Sequence, residues 1–435
     1  MSRIAGLSLV IAVSVAGLPA GARAQSLDPA ERRVAAWIDA HAGEAVDLLR
    51  RVVDINSGTM NFEGVRQVGA VFRERLDTLG FRTTWIPGDA VGRAGHLFGE
   101  RTGTRGRRLL LIGHLDTVFE MDSPFQRFER IDDSTARGPG IIDMKGGDVI
   151  IILALQALQS VGALDGTQIV VAFTGDEEAP GDPLAVTRRE LIDVAKRSDV
   201  ALGFEDGDGD PATVAVNRRG FTGWVLSSKG VPAHSSQIFR EDVGSGAIYE
   251  VARALSTFHD RLSGEPLLTF NPGVLLGGTT LDFDTVQSRG TAFGKTNVVA
   301  GSAVVSGDLR TISNEQRERA KAMMLEIVAA SLPRTSSSIT FRDSYPPMAP
   351  TPGNRALLAK LDSISRALGT GEVSASDPQR LGAADVSFAS PHVAASLDGL
   401  GLAGRDDHTV NETADLQAMS ALARRSAILL YRLTR

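Results

Sequence analysis

Apolar positions along this chain recur with two periods that take turns. Over residues 28–53 they fall at helical spacing, with Val34, Trp37, Ile38, Leu48, Leu49 and Val52 on one side, which predicts one long amphipathic helix. A second helix is predicted over 65–79, closed by Gly80. Strands follow at 81–86 and 108–112, and the run Leu109-Leu110-Leu111-Ile112 is apolar throughout, as in a strand buried on both faces. A helix at 148–161, a buried strand at 168–173 and a helix at 188–196 continue the alternation. Strands alternating with helices predict an α/β fold with a doubly wound sheet.

Near residue 214 the pattern changes. Segments 213–216, 220–228, 298–310 and 338–342 alternate as strands do, while 242–262 and 314–332 are helical. This predicts an α+β, ferredoxin-like insert of antiparallel character. After Tyr345-Pro346-Pro347 and the stretch from Pro350 to Gly353, the chain returns to a helix, an apolar strand at 393–397 and a last helix over 415–433. The expected organisation is a mixed-sheet catalytic domain in two parts, 25–213 and 344–435, interrupted by the insert 214–343.

The first residues change the picture of where the protein works. Arg3, an apolar run over 4–18, the breakers Pro19 and Gly21, and Ala22-Arg23-Ala24 before Gln25 form a secretory signal over 1–24. The run is short of the roughly 20 residues a membrane span needs. A secreted, periplasmic protein is expected, with no membrane attachment once the signal is cleaved. With 43% hydrophobic and 23% charged residues the rest is globular, and a net charge of -6 offers no basic footprint for nucleic acid. There are no cysteines, so disulfides and thiolate ligands are excluded and any metal must be held by His, Asp and Glu.

Three acidic or imidazole-bearing stretches follow apolar runs. His114 and Asp116 are two residues apart after the 108–112 strand, so on an extended segment their side chains leave on one face. A metal-binding imidazole needs its other nitrogen held by an oxygen, and Asp116 is placed to do that. Asp143 lies between Gly138-Pro139-Gly140 and Gly146-Gly147, where glycines permit close backbone approach; the spacing fits neither nucleotide-binding glycine motif. Asp176-Glu177-Glu178 follows the 168–173 strand, and three acids there repel one another unless cations compensate. Adjacent residues at a strand end point opposite ways, so Glu177 and Glu178 are expected to differ in role, one on metal and one on the reacting water.

These stretches, with Gly113-His114-Leu115-Asp116-Thr117-Val118 and Phe204-Glu205, resemble the two-zinc metallocarboxypeptidases of the glutamate carboxypeptidase (carboxypeptidase G) type. That family includes acetylornithine deacetylase, succinyl-diaminopimelate desuccinylase and aminoacylases. The resemblance runs from Asn56-Ser57-Gly58-Thr59 to the last helix. It implies that His114 and Glu205 bind one zinc, Glu178 and His408 the other, and that Asp143 bridges them. Cobalt or manganese are the alternative metals. It implies Glu177 as general base, Asp116 as the residue orienting His114, and the insert as a lid and dimerisation domain. His234 would stabilise the oxyanion in a neighbouring subunit's site, which requires a homodimer. Asn297 and Arg310 would grip a free substrate carboxylate. Read without the family, Asp206 to Asp210 suggests a calcium loop, but Pro211 and Asn217 stand where such a loop needs glycine and glutamate.

Two segments depart from the family pattern. Ala179-Pro180-Gly181-Asp182-Pro183 replaces a Gly-Ser-x-Gly run, and Leu381-Gly382-Ala383-Ala384-Asp385 replaces a more glycine-rich loop. Both bear on substrate choice. The leading expectation is release of a carboxy-terminal amino acid from a small peptide; the alternatives are an N-acyl-amino-acid deacylase and, third, a metal-binding protein without activity.

Overall fold

The computed structural model describes residues 26–285 and 287–435, so the expected signal segment lies outside the described residues. Six strands form the main sheet in the order Arg82–Pro87, Gly95–Arg101, Thr167–Thr174, Arg105–His114, Val200–Gly203 and Ala395–Leu397. The last three pairings, from Thr167–Thr174 onward, are parallel, and the first two are antiparallel. Alternate residues of the central strand, Leu109 and Leu111 against Leu110 and Ile112, enter two separate apolar clusters. The sheet is therefore buried on both faces, as the apolar run predicts. Helix Gly146–Ser160 is apolar nearly all round, because it packs between the sheet and the helices Pro29–Ala40 and Ala418–Leu433.

The second sheet has the order Thr269–Gly278, Ser302–Thr311, Gly220–Lys229, Ser336–Asp343, antiparallel throughout. Helices Gly246–Leu262 and Asn314–Ala329 cover one face and share a core of Trp224, Leu226, Phe258, Leu309 and Met324. With helices after the first and third strands, this is the ferredoxin-like arrangement. The chain then returns to the main sheet, where Ala395 pairs with Val200.

Several elements differ from expectation, among them the strands Val200–Gly203 and Thr269–Gly278, which the sequence pattern did not mark. The long amino-terminal helix is two helices, Pro29–Ala40 and Ala42–Val53, broken at His41. The His41 ring stacks on Trp37 at 3.8 Å and bonds the Trp37 carbonyl at 2.7 Å, so a side chain competes with the helix at the break. Strand Gly95–Arg101 was not foreseen because it contains Gly95 and Gly99 and does not alternate. The hairpin Thr280–Asp284 and Arg289–Phe293 was also missed, since its second strand is exposed throughout and buries no apolar stripe. Among the described residues no helix is long and apolar enough to cross a membrane.

Candidate metal centre

Parallel neighbours end on the same side of a sheet, and that edge is where an α/β protein collects its functional loops. His114 closes strand Arg105–His114 in register with Thr174; Asp176 to Glu178 begin two residues later, and Glu205 follows Val200–Gly203 by two. Asp143 sits in the turn Ile141–Lys145 that opens the buried helix. Gly140 enters this turn at φ +70, and a Cβ there would stand 2.4 Å from Thr117, so glycine is required for both reasons. His408 arrives from the far end of the chain on a loop with φ +58.

Asp143 joins the set. Its Oδ1 lies 3.1 Å from His114 Nε2 and its Oδ2 lies 2.8 Å from His408 Nε2. Glu205 Oε1 faces His114 Nε2 at 3.6 Å, and Glu178 Oε2 faces His408 Nε2 at 3.2 Å. One carboxylate thus serves two imidazoles with one oxygen each, and each imidazole has a second carboxylate of its own. His114 Nδ1 donates to the Asp116 carbonyl at 3.0 Å, while the Asp116 carboxylate is at 3.4 Å. The backbone oxygen fixes the proton on Nδ1 and leaves the Nε2 lone pair facing Asp143 and Glu205, free to meet a cation. The Asp116 carboxylate accepts from Thr59 Oγ1 at 2.6 Å and from the backbone N–H of Glu177 and Glu178 at 3.0 and 3.1 Å. Asp116 therefore holds the acidic turn as well as the histidine.

The electrostatics favour cations. Burial raises Glu178 to about 7, reinforced by Asp143. Burial likewise pushes Glu177 and Glu205 well above the usual carboxylate range, and neighbouring acids add to it. Hydrogen bonds to Asp143 and Glu178 push His408 up to about 11. Burial opposes a charge on His114, yet Glu205, Asp116 and Asp143 raise it well above the ordinary imidazole value. Protons are being drawn into a place with surplus negative charge, and Glu178 Oε1 is buried without a hydrogen-bond partner. Two divalent cations fit this donor set.

Several positioning residues were not read from the sequence. Glu412 is fully buried; its carboxylate accepts from the N–H groups of Gly140 and Ile142 at 2.9 Å and of Asp143 at 3.2 Å. Burial lifts its pKa to about 8. Glu412→Gln turns an amide toward those donors and is expected to weaken metal retention about 10–100-fold, checked by chelator competition. Arg188, also fully buried, donates to Asp176 Oδ1 at 2.5 Å, Asp385 Oδ1 at 2.6 Å and Tyr345 Oη at 2.9 Å. Tyr345 Oη in turn donates to the Glu177 carbonyl at 2.8 Å. Only Asp385 had a signal, through the unusual loop that ends on it.

A cleft of about 330 Å³ opens onto the centre, lined by Asp143, Glu177, Glu205, Arg218, Arg380 and His408 among others. The insert residues stand apart from it. His234 is exposed in a turn next to Asn297, with Ser235 N donating to the Asn297 carbonyl at 2.8 Å. Arg310 bonds Asp308 at 2.9 Å and lies over the Phe221 ring at 4.6 Å. None of the three lines this cleft.

A bridging carboxylate between two imidazole-carboxylate pairs, set at the parallel edge of a mixed sheet, defines a metallo-hydrolase. Residues 110–432 match the family described as Peptidase family M20/M25/M40, and the chain belongs to that family. It is 24% identical over 382 residues to carboxypeptidase G2 of Pseudomonas sp. (strain RS-16), covering 87% of this chain and 86% of that protein. It is 26% identical over 394 residues to succinyl-diaminopimelate desuccinylase of Acidiphilium cryptum (strain JF-5), covering 87% and 96%. The fold is that of the Bacillus subtilis YXEP protein, a dinuclear metal-binding peptidase of the M20 family, at a TM-score of 0.62 and 14% identity over 91% of this chain and 99% of that one.

Proposed function

We propose that the protein hydrolyses an amide bond next to a free carboxylate and releases a carboxy-terminal amino acid, with two zinc ions in the centre. The observation that carries this reading is Asp143 shared between His114 and His408, with Glu177 free of both imidazoles on the cleft wall. His114, Asp143 and Glu205 would hold one cation and Asp143, Glu178 and His408 the other. When bound, the cations supply the Lewis acid that polarises the scissile carbonyl and acidifies water. Glu177 takes the proton of the attacking water as the C–O bond forms, then gives it to the amine nitrogen as the C–N bond breaks. Burial keeps the basicity of Glu177 high, which suits both transfers.

Arg380 supports the carboxylate side of this reading. It lines the cleft beside Gly382 and Ala383, and among the described residues no carboxylate pairs with it, whereas Arg218 on the same wall is engaged by Asp398. Arg380→Ala is expected to raise KM for N-blocked acidic dipeptides about tenfold, the loss of one charge-assisted hydrogen bond, with kcat little changed. An unchanged KM would move carboxylate recognition back to Asn297 and Arg310. His234, placed outside the cleft, acts in this reading on the site of a second copy, so the working unit is a homodimer.

The similarity to a desuccinylase favours a second reading, N-acyl-amino-acid deacylation. Assay of the zinc-loaded protein on N-blocked dipeptides and N-acetyl amino acids separates the two. Turnover on neither, with both metals bound, would leave a binding protein.

A further inference from the structure

Beside His408 stands a carboxylate that the ligand set does not use. An oxygen of Asp407, one of Asp143 and a ring nitrogen of His408 all lie within 4.8 Å of one another. Residues adjacent on extended backbone point to opposite sides, but this loop is not extended. Asp406 and His408 both have positive φ, 62 and 58, and Thr409 N and Oγ1 both bond the Asp406 carbonyl, at 3.2 and 2.7 Å. The chain doubles back so that consecutive side chains, Asp407 and His408, face the same partner, Asp143. Neighbouring cations leave Asp407 alone: the adjacent Arg405 approaches Asp406 at 3.7 Å, and among the described residues no Lys or Arg is within 4.0 Å of the Asp407 carboxylate.

We propose that Asp407 is a further ligand of the cation held by His408. This rests on the two-cation reading above and extends it. The His408 side then offers three carboxylates, Asp143, Glu178 and Asp407, with one imidazole, against two carboxylates and one imidazole on the His114 side. The two sides carry one imidazole each, so the added hard oxygen donor on the His408 side is what shifts that half toward manganese and away from the smaller tetrahedral set that zinc favours. The two halves of the centre consequently differ in metal preference, and the His408 half is the manganese-tolerant one.

The test is metal binding by the full chain, stripped with chelator and titrated with Mn²⁺ or Zn²⁺ in equilibrium dialysis, for wild type, Asp407→Ala and Asp407→Asn. Two Mn²⁺ sites are expected in the wild type. In both variants one of them weakens at least tenfold, with a smaller loss for Zn²⁺ and an unchanged far-ultraviolet circular dichroism spectrum. Two sites of wild-type affinity in both variants would overturn the proposal. A wild type that binds neither metal would instead overturn the two-cation reading beneath it. A wild type with one Mn²⁺ site, lost in His408→Ala and unaltered in Asp407→Ala, would also count against Asp407.

Discussion

Glu177→Gln is expected to lower kcat by about 10²–10⁴-fold, the range that a positioned general acid or base contributes, while both metal sites stay filled. Asp143 and Glu178 meet His408, and Asp143 and Glu205 meet His114, but the Glu177 carboxylate touches neither imidazole. Its backbone is fixed from both sides, the N–H by Asp116 at 3.0 Å and the carbonyl by Tyr345 at 2.8 Å. The side chain is thereby left free to move a proton, and glutamine keeps its shape without that ability. Metal content per subunit together with kcat on the best substrate checks this. Turnover near the wild-type rate would remove Glu177 from the chemistry; loss of one metal would make it a ligand.

What could be read before the structure divides along physical lines. Buried strands and their helices are marked by apolar periodicity, so the run Leu109 to Ile112 announced the central strand and the loop after it. His114 and Glu178 could be found because each follows a strongly patterned strand, and Asp143 because it lies in a glycine-dense turn before the buried helix. Glu205 and His408 lie in polar loops, and His408 is brought to Asp143 from 265 positions away by the return of the chain after the insert. No local pattern encodes that distance, and only resemblance pointed to it. Arg188 and Glu412 were illegible for a different reason. Both look like ordinary surface charges in sequence, and their burial follows from three-dimensional closure. Asp116 was half read: its place near His114 was expected, its grip on the acidic turn was not.

Arg188→Met is expected to destabilise the fold by about 3–5 kcal/mol, the cost of removing one partner from a buried ion pair. Among the described residues Arg188 is the only cation bonded to both Asp176 and Asp385, and all three side chains are almost wholly inaccessible. Without it two buried carboxylates keep only neutral donors, Gly181 N and Thr187 Oγ1 on Asp176 and Thr174 Oγ1 on Asp385, and lose the cation that lies over the Tyr345 and Phe388 rings. The damage would not stay local. Asp176 precedes Glu177, the proposed base, Asp385 ends the loop that carries Gly382 and Ala383 into the cleft, and Tyr345 follows the insert and bonds the Glu177 carbonyl. Kinetics should therefore show a fall in kcat alongside the shift in urea midpoint. Lysine at 188 has the charge but not the planar fork that serves two acids at once, so Arg188→Lys should recover only part of the loss. The decisive comparison adds Asp385→Asn to Arg188→Met: neutralising one stranded carboxylate should restore stability, giving a favourable coupling between the two sites. If the double variant is less stable than Arg188→Met by the full cost of Asp385→Asn alone, the network is additive packing and the ion-pair argument fails.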